Sequence, residues 1–168
     1  MKLFRTTRKK VAKMRDQRDI SGLVRALNDS DLFVAVDAAE ALGAIGGAQA
    51  VDALIGALES GPEPVRLFAA RALARTGDVR AVPFLVRALS DPAARMRGAA
   101  ASALAQIGDA TAEQPLRDAI RREESISGAA PPPIEGAMRM LEGRMLSSVV
   151  ARREMEAALL EIQKRERR

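Results

Sequence analysis

The sequence predicts an all-α protein: a right-handed superhelix of about four helical hairpins with a capping helix at each end. Two observations carry this. The first is a 31-residue period: Leu23, Leu54, Leu85 and Leu116 recur at that interval, as do Leu42, Leu73 and Leu104, and Gly46, Gly77 and Gly108. Agreement at several independent positions marks stacked structural units. The second is composition: of 168 residues, 48% are apolar but only 2% aromatic. A core of Ala, Leu, Val and Ile suits closely packed helices better than a β-sandwich.

Taken in order, residues 7–17 (TRKKVAKMRDQ) read as a solitary basic helix within a head segment, 1–18. The repeat array runs over 19–146 as units 19–49, 50–80, 81–111 and 112–146, and a C-terminal helix occupies 147–168. Each unit reads as two helices. The first is short, as in VDALIGAL (51–58) and VPFLVRAL (82–89), with leucines at i and i+4 on one face. Pro83 and Pro115 fall in the first turn, where a missing N–H costs little. Thr111 and Gln114 have capping-box spacing. In the connecting turn, Asp91-Pro92 fits an N-cap followed by proline at N1, with Asp29 in the equivalent place.

The second helix of the middle unit, VRLFAARALARTGD (65–78), buries Val65, Ala69, Ala72, Leu73 and Thr76 on one stripe, and Gly77 supplies a left-handed stop. Such a hairpin cannot bury its apolar face alone, and stacking on neighbours does so. The fourth unit departs from the pattern. ESISGAAPPP (124–133) ends in three prolines that should be extended. IEGAMRMLEGRML then resembles a second helix, with Leu141 matching Leu104 after a six-residue insertion. Residues 147–168 form another helix or continue this one through Ser147-Ser148, with Val149, Val150, Leu159, Leu160 and Ile162 placed to cap the stack. QKRERR at the end is expected to fray.

The pattern carried by Ala81-Val82, Leu85, Ala88-Leu89, Asp91, Met96-Arg97, Ala100-Ala101, Ala103-Leu104 and Gly108-Asp109 resembles the short HEAT-like repeat, the type also found in phycobilin lyase subunits. The resemblance covers about residues 19–124, with a degenerate fourth unit to about 146. It implies a helical solenoid. It further implies a ladder between a turn Asp and an Arg six residues on, which Asp91 and Arg97 match. The other units depart from that ladder: Arg66 faces Ser60 and Asp29 faces Ala35.

The chain contains no cysteine and no histidine. Disulfides, thiolate chemistry and the commonest metal ligand and neutral-pH base are thereby excluded. No acidic constellation has catalytic or metal spacing, so no catalytic residue, metal site or cofactor is expected. The start MKLFRTTRKK is not followed by an apolar run of signal length, and no stretch nears the ~20 apolar residues of a spanning helix. A cytoplasmic, non-membrane protein is expected.

The net charge of +5 is uneven. Residues 1–18 carry eight Lys or Arg against Asp16, whereas residues 19–49 sum to −4. Arg8, Lys9, Lys10, Lys13 and Arg15 are therefore candidate anion contacts; alternatively this helix is a solvated cap, or docks on the acidic residues Asp31, Asp37 and Glu40. Base readout lacks aromatic partners, since Phe4 alone is nearby.

Phe33, Val36, Leu67 and Phe68 lie off the expected buried stripes. With Asp37, Glu40, Arg71 and Arg75 they form a candidate protein-binding strip on the concave surface, continued by Arg95, Ser102 and Gln106. The opposing reading packs Phe33 or Phe68 into the core. Met138, Met140 and Met145 read as core filler. The function expected is a non-enzymatic scaffold or adaptor for another protein of unknown identity. Nucleic-acid or ribosome association through the basic head is the alternative. A non-catalytic subunit of a phycobilin lyase-type complex is implied only by the resemblance. The sequence leaves the oligomeric state open.

Overall fold

The computed structural model describes residues 6–127 and 135–167, the side chains of 126–146 excepted. Met138, Met140 and Met145, and the proline run 131–133, lie outside what is described. Among the described residues the chain forms nine α-helices and two short 3-10 turns, with no strand. It divides into two compact units, Met1–Phe84 and Leu85–Arg168.

The first unit holds α1 (Arg8–Asp16), α2 (Ile20–Leu27), α3 (Leu32–Ile45), α4 (Ala48–Ser60) and α5 (Glu63–Thr76). The repeating leucines Leu23, Leu42, Leu54 and Leu73 are fully buried. Between them the packing is alanine: Ala38, Ala39, Ala69 and Ala70 exclude all solvent. Small side chains let the backbones of α3 and α5 approach closely. At Gly43 an added Cβ would lie 2.8 Å from the Cα of Ala72. α5 stops at Gly77, whose φ of 68° and ψ of 9° place it in the left-handed region, where a side chain is disfavoured.

The buried stripe of α5 is wider than its sequence spacing predicts. Val65, Ala69, Ala72 and Leu73 are buried as expected, and Thr76 is half-buried. Leu67, Ala70 and Ala74 add a second buried ridge. An interior helix of a stacked array is covered on two sides, whereas a single-stripe reading allows for one.

α6 (Val82–Ala88) contains the division between the units. The second unit continues with α7 (Ala94–Ile107), α8 (Glu113–Ser127) and α9 (Glu135–Glu166). α9 is one helix through Ser147-Ser148, and it packs on both α7 and α8. It buries Ala151, Met155, Ala158 and Ile162, while Val150 and Leu160 stay exposed. Among the described residues α9 stays helical to Glu166. Gln163 donates to the Glu113 carboxylate at 3.3 Å, and Arg165 donates to the carbonyls of Ala105 and Gly108 at the close of α7.

The helix starts differ from their expected caps. Asp91 is not the N-cap of α7. Its carboxylate accepts from the Ala93 N–H at 2.8 Å, and the helix begins at Ala94. Asp29 behaves identically, accepting from the Asp31 N–H at 3.0 Å, and Asp31 is the residue that caps α3. In both turns the carboxylate closes a local Asx turn, which holds the chain out of the helix for two more residues. The Thr111–Gln114 capping box does not form either. Asp109 accepts from Thr111, and Gln114 donates to Asp118.

Candidate functional site

α3 positions the candidate face of the first unit. Asp31 starts the helix, and Phe33, Asp37, Glu40 and Ala44 then follow at helical spacing along one side. α1 lies against this side, with Val11 buried. A groove of about 300 Å³ lies there, with Arg8, Arg15, Asp37, Glu40 and Ala44 around it and Arg75 of α5 also in its lining.

Arg8 grips Asp37 with two bonds, Nε to Oδ2 at 2.5 Å and Nη2 to Oδ1 at 3.0 Å. This side-chain bond, and then the Asp37 charge, raise the Arg8 pKa above its ordinary value. The basic helix is therefore docked on an acidic residue of α3, with the Arg8 Nε and Nη2 donors committed to Asp37 and the side chain still largely exposed. Arg15 pairs with its neighbour Asp16 at 2.8 Å. Lys9, Lys10 and Lys13 are exposed and have no ion-pair partner among the described residues.

Phe33 projects into solvent, 72% exposed, beside Leu32 at 42%. Phe33 is thus a surface residue and not part of the core. Val36 and Phe68 are half-buried. The Arg71 guanidinium sits 5.4 Å from the centre of the Phe68 ring, a cation–π distance, and Arg71, Glu40 and Arg75 are exposed. Leu67 is corrected: at 7% exposure it is part of the second buried ridge of α5 and offers a partner nothing.

In the second unit Arg95 and Gln106 are exposed. Ser102 is not open: half-buried, it hydrogen-bonds the Glu154 carboxylate of α9. Gly98, one turn earlier, faces Ala151 and Glu154 across an ordinary contact distance for an added methyl, 3.6 Å. α9 thus covers this part of α7, including Ser102 of the expected binding strip.

The most buried polar arrangement escaped the sequence reading. Glu123 is 2% exposed and accepts from Nε and Nη2 of Arg97 and from the Ser148 hydroxyl. Arg97 completes its bonds with the carbonyls of Asp91 and Pro92, at 2.9 and 3.0 Å. The expected Asp91–Arg97 pairing therefore runs through a backbone carbonyl, and the carboxylate partner is Glu123. A signal for Glu123 existed: it shares the helical face of Leu116 and Ala119, where a charge requires a buried partner. This arrangement is structural, since all three nitrogens of the Arg97 guanidinium bond to protein.

Among the described residues no group of three or more acidic side chains is placed to hold a metal ion. None of their helices is long and apolar enough to cross a membrane. Two repeat families match the chain: HEAT repeats over residues 57–129, and the PBS lyase HEAT-like repeat over residues 34–60. No curated protein matches it.

Proposed function

We propose that this chain, which belongs to the HEAT-like repeat proteins, is a protein-binding scaffold or adaptor without catalytic chemistry of its own. The observation that carries the reading is the exposed Leu32-Phe33 pair at the start of α3, one turn from the Arg8–Asp37 ion pair. A large aromatic side chain in water, beside mixed charge, supplies what an interface anchor needs: apolar area at low entropic cost and a polar rim. The half-buried Val36 and the Phe68–Arg71 stack extend the same chemistry over α3 and α5.

The test is affinity capture from native lysate, with and without nuclease, comparing the wild type with Phe33→Ser. A protein retained by the wild type through nuclease treatment and lost by the variant supports the reading. The exposed Lys9, Lys10 and Lys13 favour the nucleic-acid alternative. Capture that vanishes with nuclease, and weakens steeply with log salt, decides for that alternative.

A further inference from the structure

The turn between the first and second helices is folded the same way in α2–α3 and in α6–α7. Asp29 N–H donates to the Ala26 carbonyl at 3.1 Å, and Asp91 N–H donates to that of Ala88 at 3.1 Å. Asp29 then closes onto the Asp31 N–H as Asp91 closes onto that of Ala93. α3 and α7 both run for 14 residues, so Ala35 and Arg97 are each the fourth residue of their helix.

What fills the space beside the turn differs completely. In the second unit Arg97 spans from the carbonyls of Asp91 and Pro92 to Glu123, and Arg122 crosses to the Ser90 hydroxyl at 2.9 Å. Two periods earlier, the first unit has Ala35 for Arg97, Gly61 for Glu123, Ser60 for Arg122 and Asn28 for Ser90. Both arginines are gone, and small residues stand in their places.

The result is an open cavity of about 390 Å³ between α2 and α4. Leu27, Ala53 and Ala57 wall it, Ala35 and Val65 lie at its base, and Asn28 and Asp29 are at the turn end. No lysine or arginine lines it, and Asp29 has no ion-pair partner among the described residues.

We infer that this cavity is an arginine slot: it receives the guanidinium of an arginine carried by a partner protein, taking the position that Arg97 occupies within the second unit. The apolar walls accept the aliphatic stem; the turn carbonyls accept the planar fork as those of Asp91 and Pro92 accept Arg97, and the Asp29 carboxylate oxygen not used in the Asx turn supplies the negative charge that Glu123 supplies to Arg97. A lysine has three donors on one point and cannot address carbonyl and carboxylate in one plane. The slot shares no residue with the Phe33 face, so loss of either leaves the other standing.

The probe is N-acetyl-arginine-N-methylamide, followed by amide NMR shifts of the full chain. The uncharged isostere, the citrulline derivative, is the control. We expect saturable shifts at Asn28, Gly56 and Gly61 with the arginine compound, and roughly tenfold weaker binding of the citrulline compound. Asp29→Asn, which keeps the Asx turn, should reduce the arginine response to the citrulline level. Ser60→Arg, at an exposed helix end, should fill the slot from within and abolish the response while the far-ultraviolet dichroism is unchanged. Equal responses to both compounds, an unaltered response in Asp29→Asn, or no saturable shift at these amides would overturn the inference. So would a persisting response in folded Ser60→Arg.

Discussion

Arg97 and Glu123, 26 positions apart, form a buried ion pair whose carboxylate is also held by Ser148 of α9. One arginine therefore ties the α6–α7 turn to α8, and one serine ties α8 to α9. Removing Glu123 strands a guanidinium that is only 12% exposed. Glu123→Ala should cost about 3–5 kcal/mol, whereas the paired change Arg97→Met with Glu123→Leu should cost far less, because it removes both charges together. Urea unfolding of the single and double variants reads the difference. A single variant as stable as the wild type refutes a buried, mutually dependent pair.

Two glycines in neighbouring helices should respond with opposite sign. Gly43→Ala drives a methyl into the backbone of Ala72 and should destabilise by about 1–3 kcal/mol. Gly56→Ala meets nothing within 4 Å in the interior of α4 and should stabilise by about 0.5–1 kcal/mol through helix propensity. Thermal melts suffice to rank the two against the wild type.

Leu67 and Phe33 separate fold from binding. Leu67→Ala opens a cavity in the second buried ridge of α5 and should cost about 2–5 kcal/mol. Phe33→Ser changes a side chain already in water and should leave stability within about 0.5 kcal/mol. Denaturant midpoints for the two variants should therefore diverge widely. Equal midpoints would mean that Phe33 is packed in solution.

Acid should weaken the turns before α6 and α8. The Arg80 side chain, with its backbone N–H, holds the Asp78 carboxyl below its ordinary 3.8. Thr111, through its hydroxyl and then its N–H, does the same for Asp109. A carboxyl with a lowered folded pKa contributes its stability above the unfolded value and loses it as pH falls through the folded one. Stability should thus decline below about pH 4, and Asp109→Asn should flatten that decline. Urea midpoints measured from pH 7 to pH 2 test the slope.

The repeat itself was legible, because stacking requires the same small and aliphatic residues at the same positions in every unit. Leu42, Leu73 and Leu104 are all fully buried, as their shared spacing demands. Gly77 was readable because a left-handed stop admits few other residues. Three things were not readable. The Asx turns of Asp29 and Asp91 use the same residue type as an N-cap, so the spacing alone does not distinguish them. Burial of Leu67 depends on a second covered side, which a single-helix periodicity does not contain. The coverage of Ser102 depends on α9, which returns to α7 from beyond a segment that breaks the period.

That return has a kinetic meaning. In the first unit the hairpins α2–α3 and α4–α5 close on their sequence neighbours, and α3 meets α5 one repeat away. The second unit is tied by pairs much farther apart: Ser102 to Glu154 over 52 positions, Glu113 to Gln163 over 50, and Ala105 to Arg165 over 60. Higher contact order means slower closure, because more chain entropy must be lost before these contacts form. The two halves of one repeat array should therefore mature on different clocks: the N-terminal unit assembles piece by piece, and the C-terminal unit is completed last, when α9 swings home and Arg165 latches the end of α7.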